Sequence, residues 1–260
     1  MIIFECEDSA DGIFTAVYDA WASRLGHRNV RLQTRALRTR ELFAEYCEVC
    51  PDGGKAEKVA RTIRRRMGEE SYEMIYRAAM ARDDEKADSI YRVVVLGLSP
   101  QISEREAADV IWQLTDPAVC HVFELARRVW HEAHRYMGFV RFRELGNGVL
   151  FSEIEAEANV LPLLGDHFAD RFPNENFMIC DHGHAACLVH RAAGPWFLLL
   201  DTEPDGALRH QMSANEQEMQ QLWRGFCSSI SIRERENARL QQQFWPLRFR
   251  KWMTENPDFR

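Results

Sequence analysis

The amino-acid sequence predicts an α+β protein. It has a helical N-terminal half with a short first strand, and a C-terminal antiparallel sheet of about five strands covered by helices. Two observations predict this class. Apolar residues recur at helical spacing through most of residues 10–136, whereas short alternating runs separated by turn residues follow Gly138. We therefore expect two domains, a mainly helical region at 1–116 and an α+β domain at 117–260.

The N-terminal half opens with an apolar strand, Ile2-Ile3-Phe4, and continues into a helix. Apolar residues at i, i+3, i+4 and i+7 define one face of that helix. Its residues are Phe14, Val17, Tyr18 and Trp21. Three further helices are expected after the turn at 51–54, over Lys55–Met67, Ser71–Met80 and Asp88–Leu98. Ser103 with Glu106 forms a capping box for the next one.

A long helix over Pro117–Tyr136 opens the C-terminal half, because Asp116-Pro117 supplies a cap and a first-turn proline. Its expected buried side carries six residues. They are Val119, Val122, Ala126, Val129, Trp130 and Ala133. The turn Gly146-Asn147-Gly148 then joins two strands into a hairpin. A helix capped by Asn159 follows, then three strands and a helix with Ser213 and Glu216 as its capping box. The strands are expected at Phe177–Cys180, Ala185–His190 and Trp196–Leu200.

Charge is distributed unevenly along the chain. The net charge is −7, yet the segments 24–66, 127–143 and 233–251 carry +7, +4 and +4. Of the 33 basic residues only four are lysine, and arginine suits bidentate binding of phosphate. Codon bias in a GC-rich genome explains the arginines equally well, and basic helix faces are commonly just solvated. The composition therefore argues only against indiscriminate coating of DNA.

The sequence predicts a cytoplasmic protein. Its longest apolar runs fall far short of the roughly 18 residues of a membrane-spanning helix, and Met1–Cys6 does not resemble a secretory signal. Seven cysteines at irregular spacing fit reduced thiols better than a disulfide framework.

Patterns for metal or cofactor binding are weak. Cys180, His182, His184 and Cys187 are the densest set of potential zinc ligands, but their spacing matches no standard zinc site. Cys187 is equally explained as a small core residue. No glycine-rich nucleotide loop or hydrolase signature is present, so we expect neither a metal nor a cofactor. Glu153 with Glu155, and Asp166 with Asp170, have generic surface spacings.

The end of the long helix carries a cluster of basic and histidine side chains. Arg127, His131, His134 and Arg135 precede a strand with Arg141 and Arg143 on one face. Such a cluster suits contact with phosphate, with His134 as a donor or general acid–base. A solvated helix face with ion pairs to Glu124 and Glu132 remains the alternative.

Three long segments resemble one bacterial family. They are His134–Leu145, His167–Pro173 and Ile230–Gln241 with its continuation Pro246–Lys251. The family is the one described as probable DNA metabolism proteins, a domain of unknown function encoded beside a putative DNA modification or repair radical SAM protein. Some relatives are fused to uracil-DNA glycosylase-like domains. The chain departs from the family where His182-Gly183-His184 replaces an expected basic pair.

The resemblance implies a DNA-binding accessory partner of the radical SAM enzyme, acting in DNA repair or metabolism. The nucleic-acid-binding residues that the resemblance implies lie in the three matching segments. They are Arg135, Arg141, Arg143, Arg171, Arg235, Asn237, Gln241 and Arg248. The basic cluster on the long helix adds Arg127 and His131. Trp245, Phe249 or Trp252 would stack on an exposed base. Asn237 has a helix cap as its alternative role. Two other functions stay open: a base- or phosphodiester-processing hydrolase with His134 as acid–base, and an interaction module that docks an acidic partner.

Overall fold

The computed structural model describes residues 1–35, 42–202, 211–232, 235 and 237–255. Arg38, Arg40 and Arg233 of the basic segments lie outside these ranges. The chain forms two compact units, Met1–His131 and Glu132–Arg260. The division falls inside a helix, whereas the sequence places a boundary between residues 116 and 117.

The N-terminal unit contains a three-stranded parallel sheet. Its strands are β1 (Ile2–Cys6), β2 (Val30–Thr34) and β3 (Glu45–Glu48), in the order β2-β1-β3. The sequence predicts β1 and leaves residues 41–47, which overlap β3, open as a short helix or a strand, whereas β2 is not predicted. Phe4 lies opposite both Leu32 and Cys47, so β1 is the central strand.

Helices make up most of the rest of this unit, as predicted. They are α1 (Ala10–Ala22), α2 (Gly53–Met67), α3 (Glu69–Ala79), α4 (Lys86–Gly97) and α5 (Glu104–Asp109). The capping box at Ser103 is confirmed: Ser103 Oγ accepts from Glu106 N, and the Glu106 carboxylate accepts from Ser103 N. The Asp52 carboxylate caps α2 through Lys55 N, and the hydrogen bond from this N–H lowers the pKa of Asp52.

Helix α6 (Pro117–Phe139) begins where the sequence predicts, because Asp116 Oδ1 accepts hydrogen bonds from Ala118 N and Val119 N. Five of its six predicted inward residues are buried. Trp130 is the exception. Its ring is 39% exposed and is covered by the guanidinium of Arg77 at 4.7 Å, a cation–π contact that keeps a large ring at the surface.

The C-terminal unit contains a five-stranded sheet in chain order. The strands are β4 (Arg143–Glu144), β5 (Leu150–Ile154), β6 (Phe177–Asp181), β7 (Ala186–His190) and β8 (Trp196–Leu199). Three pairs are antiparallel, as predicted, but β5 and β6 are parallel. The sheet is therefore mixed. Helix α7 (Leu161–Arg171) forms the crossover that brings β6 alongside β5 in the same direction.

The chain continues after the sheet into helices α8 (Ala214–Ile230), α9 (Ala238–Phe244) and α10 (Leu247–Arg250). Ser213 caps α8 through Glu216 N, but the reciprocal half of the predicted capping box is not formed. The Glu216 carboxylate instead accepts from Glu144 N, which ties α8 to β4.

The expectation of seven reduced thiols is wrong for one pair. Cys180 and Cys187 lie directly opposite each other on β6 and β7, and they form a disulfide. Both are fully buried in an apolar cluster with Phe151 and Leu145. Direct pairing across an antiparallel ladder brings two Cβ atoms close together, which the spacing of the cysteines in sequence does not reveal.

Gly165 of α7 is required for close packing. A Cβ at this position would collide with the indole of Trp196, so Gly165→Ala should lower the free energy of unfolding by about 1–3 kcal/mol. Gly138 of α6 is the matched control, because a Cβ there meets nothing within 4 Å. We expect Gly138→Ala to stabilise by roughly 0.5–1 kcal/mol. Urea unfolding measures both, and equal effects would contradict the packing.

Candidate functional site

Glu153 of β5 carries a carboxylate with no exposed surface. Arg143 Nη2 of β4 donates a hydrogen bond to its Oε2, and Nε2 of His182 lies 2.9 Å from its Oε1. Arg143 is itself buried, so the two charges neutralise each other inside the unit. A buried charge needs such a partner, because an isolated one costs several kcal/mol.

A second buried carboxylate ends the neighbouring strand. Asp181 Oδ1 accepts from the backbone N–H groups of Ala156 and Gly183, while Oδ2 lies 2.7 Å from Nδ1 of His184. Since β5 and β6 are parallel, both carboxylates stand near the carboxyl ends of their strands, at one edge of the sheet. Polar groups at this edge of a parallel pair are a common location for a binding or catalytic site.

The two histidines occupy the turn between β6 and β7. Gly183 separates them, and a Cβ at this position would lie 2.6 Å from the backbone oxygen of Ala156. Only glycine allows the turn to approach the end of β5 this closely. The disulfide joins the two strands on the sheet side of the turn. Together these contacts hold each imidazole against one carboxylate.

Helix α10 packs on the end of α6. The ring of Phe249 lies 4.8 Å from that of Tyr136 and 5.0 Å from that of Phe139, and Phe249 is buried. Burial raises the pKa of Tyr136, whose hydroxyl donates to Glu155 O at 2.7 Å. Immediately after α10, Trp252 stacks on His182 with ring centroids 5.3 Å apart. The C-terminal segment thereby reaches the carboxylate–histidine edge.

Three exposed basic side chains lie on the segments that form these contacts, one on α6 and two in the α10 segment. We call Arg135, Arg248 and Lys251 the basic corner. Arg135 is exposed on α6 and has no side-chain partner among the residues that the structure describes. Arg248 lies 3.6 Å from Glu132 and 3.5 Å from Glu157. Lys251 donates to Glu155 at 2.6 Å, and this contact lowers the pKa of Glu155.

The residues predicted to contact nucleic acid are distributed over both units. Arg127 and His131 lie in the N-terminal unit, on the exposed side of α6. His134, the predicted catalytic residue, is exposed on the same helix in the C-terminal unit. Arg171 is exposed at the end of α7, and Arg235 and Gln241 are exposed near α9. The roles proposed for all of them stay predictions.

Besides Arg248, three predicted contact residues have hydrogen-bond or ion-pair partners within the unit. Arg141 donates to Glu255 at 2.9 Å, and Arg143 is held by Glu153. The Asn237 side chain caps α9 through Leu240 N at 3.0 Å, which is the alternative the sequence left open. Phe249 cannot stack on a base, because it is buried against α6.

The two buried carboxylates were not predicted from the sequence. The pair Glu153 and Glu155 was interpreted as two surface carboxylates, yet Glu153 is buried. Asp166 and Asp170, interpreted in the same way, do lie at the surface. The only indication that Glu153 is buried was its position inside an apolar strand. That strand pairs in parallel with β6, and local periodicity does not reveal this pairing.

The buried carboxylates of Glu153 and Asp181 fix the orientation of the imidazole rings of His182 and His184. Because Asp181 occupies Nδ1 of His184, the other ring nitrogen is the one left to exchange a proton. The disulfide removes Cys180 and Cys187 as ligands. Within residues 1–35, 42–202, 211–232, 235 and 237–255, no group of three His, Cys, Asp or Glu side chains is placed to hold a metal ion.

Comparison with known proteins identifies the family. The model of a domain of unknown function, DUF4130, matches residues 84–255. The chain therefore belongs to the DUF4130 family. A search of curated proteins finds no match. Among the part of the chain that is described, no helix is long and apolar enough to cross a membrane.

The chain is also weakly similar to a solved structure. That structure is described as the DHH domain of a member of a family of ribosomal proteins, with 9% identity and a TM-score of 0.31 over 74% of this chain and 73% of that one. A similarity of this size carries no argument about function.

The buried pair gives a stability prediction. Glu153→Gln leaves the Arg143 guanidinium buried without an anion, so we expect the free energy of unfolding to fall by about 3–5 kcal/mol. Arg143→Met should also destabilise strongly. The double variant Arg143→Met/Glu153→Leu removes both charges and should cost much less than the sum of the two single changes. Urea unfolding of all three variants measures the coupling, and additive losses would show that the two charges do not stabilise one another.

Proposed function

We propose that this protein binds DNA through its C-terminal unit and acts in DNA repair or metabolism as an accessory partner of a radical SAM DNA-modifying enzyme. The link to DNA and to the radical SAM enzyme rests on the resemblance of the three sequence segments. The surface that we propose for DNA binding is the basic corner.

The observation that carries the proposal is the packing of α10 on α6. Residues separated by more than 100 positions in sequence, Arg135 and Arg248, are brought to one region by the contacts of Tyr136 and Glu132 with the α10 segment. Lys251 extends the same region. Clustered cations of this kind supply the salt-dependent part of affinity for a nucleic acid.

The carboxylates beside the basic corner do not prevent phosphate binding. Arg248 has 42% and Lys251 has 54% of its side chain exposed, and Glu155 and Glu157 are also exposed. Such surface ion pairs contribute about 0–1 kcal/mol, so a DNA phosphate can replace the carboxylate at little cost.

The third carboxylate, Glu132, is buried, but it also accepts hydrogen bonds from the backbone N–H groups of Glu157 and Ala158, which remain if Arg248 turns to a phosphate. Arg143 differs, because its pairing is buried. We therefore propose that Arg143 holds the site together and that the basic corner binds DNA.

An aromatic side chain lies close to this surface. Trp252 is partly exposed, stacks on His182 and carries the ammonium of Lys251 4.8 Å from its ring centroid. It supplies a stacking platform for an unpaired base beside a cation that contacts phosphate. A preference for single-stranded or lesion-bearing DNA follows from this arrangement.

Binding of DNA should weaken steeply with salt. If the protein contacts four to six phosphates, the slope of log K against log salt should be about −4 to −5 on duplex DNA and about −3 to −4 on single strands. Arg135→Gln should reduce the magnitude of that slope by about one unit. Arg191→Gln is the matched control, because Arg191 is exposed in the same unit but lies outside the basic segments. Fluorescence anisotropy with single-stranded, duplex and lesion-bearing oligonucleotides, with and without the partner enzyme, measures the slope. Absence of salt-sensitive affinity for every form would overturn the proposal.

A second candidate function is hydrolysis of a damaged base or a phosphodiester. One observation favours it: the contact between Asp181 and His184 has the form of a carboxylate that orients a general base. The sequence favours His134 for this role because of its basic neighbours. The buried Asp181 carboxylate is a stronger argument, since it fixes the orientation of the ring, and we therefore place the acid–base role on His184.

Variants separate the two histidines. If the protein turns over uracil-containing or abasic oligonucleotides, His184→Ala should lower the rate by about 100-fold or more, and Asp181→Asn should also lower it. His134→Ala should leave the rate within about twofold. Gel-based product assays under single-turnover conditions measure these effects. A wild-type protein without turnover, or a loss confined to His134→Ala, would remove this candidate.

A further inference from the structure

Helix α8 presents its apolar side to solvent. Five large side chains at i, i+3, i+4, i+7 and i+11 form a single stripe along it, and each is between 44% and 60% exposed. They are Met219, Leu222, Trp223, Phe226 and Ile230. The rings of Trp223 and Phe226 lie 5.7 Å apart within the stripe. A surface helix normally turns such a stripe toward the core.

In α8 the stripe faces solvent instead, because polar contacts hold a different side of the helix against the unit. Glu216, Gln220 and Arg224 occur at i, i+4 and i+8 and form a ladder. Gln220 Nε2 donates to Glu216 Oε1 at 2.7 Å, and Arg224 Nη2 donates to Gln220 Oε1 at 3.4 Å. Gln220, at the middle of the ladder, is buried.

Both ends of the ladder are fixed to the rest of the unit. Glu216 Oε2 accepts from Glu144 N at 3.1 Å, and Arg224 Nε donates to Thr254 O at 3.3 Å. The Ser213 cap also donates to the Glu144 carboxylate at 2.7 Å. Glu216 and Gln220 therefore face the unit, and Arg224, although exposed, reaches back to it. Because the stripe lies on a different side of the helix, α8 cannot bury the stripe without breaking the ladder.

We propose that the stripe on α8 is a self-association surface, and that its occupant is α8 of a second copy of this chain. The stripe contains no charged side chain, so it carries no charge pattern that would select a different protein. An antiparallel pairing of two copies places each stripe on an identical one, which is the isologous contact of a two-fold dimer. Antiparallel helices also set opposite dipole ends side by side.

The size of the stripe suits a reversible dimer. With roughly 200 Å² for each large side chain, about half of it exposed, five side chains present on the order of 500 Å² per copy. Two copies would bury about 1,000 Å² of apolar surface, near the lower limit for a specific interface. An interface of this size is typical of a weak, reversible association.

Sedimentation velocity on the full chain between about 1 and 200 μM tests this proposal. The expected result is a concentration-dependent shift from the monomer mass to twice that mass. Trp223→Glu and Leu222→Asp should each weaken association at least tenfold, while circular dichroism stays unchanged because both side chains are exposed. Gln221→Glu is the control, since Gln221 is exposed on the same helix but lies away from the stripe.

Two results would overturn the proposal. One is a wild-type protein that stays monomeric over the whole range, which would leave the stripe to another protein or to a membrane surface. The other is a dimer that persists unchanged in Trp223→Glu and Leu222→Asp, which would place the interface elsewhere. Neither result bears on DNA binding by the basic corner, which is measured separately.

Discussion

The buried carboxylate of Glu153 is the constraint on which the C-terminal unit depends. It neutralises Arg143 of β4 and holds His182 of the turn after β6, so one side chain joins three parts of the sheet. Neither charge would be tolerated in this position without the other. Trp252 then rests on His182, so the C-terminal segment is positioned through contacts that begin at a buried group.

The arginines of the basic segments consequently divide into two kinds. Arg143 is buried together with its carboxylate partner and organises the fold, whereas Arg141 pairs with Glu255 but keeps 34% of its side chain exposed. Arg135, Arg248 and Lys251 reach the surface, where a carboxylate is easily exchanged for another anion. Charge counting along the sequence treats these residues alike. The difference between them is burial, and burial decides which side chain is available to a ligand.

Much of the fold could be predicted from local patterns. The helices α1 to α4 and α6 follow apolar periodicity, and the starts at Ser103 and Asp116 follow capping chemistry. The parallel pairing of β5 with β6 could not be predicted, because it depends on the direction in which α7 returns the chain. The burial of Glu153 follows from this pairing, so it was missed with it. The disulfide lies across the antiparallel pair of β6 and β7, which was predicted, but the register that sets Cys180 opposite Cys187 was not. The stripe on α8 shows the same limit: periodicity identifies which residues share a face, but the ladder at Glu216, Gln220 and Arg224 decides where that face points.

The central claim is that DNA contacts the C-terminal unit where α10 packs on α6. Hydrogen exchange with mass spectrometry, with and without a saturating lesion-bearing oligonucleotide, tests this claim most directly. We expect slower exchange in peptides covering 132–143 and 245–255, with little change across β1 to β3 of the N-terminal unit. Protection confined to the N-terminal unit, or no protection in a sample that binds the oligonucleotide, would contradict it.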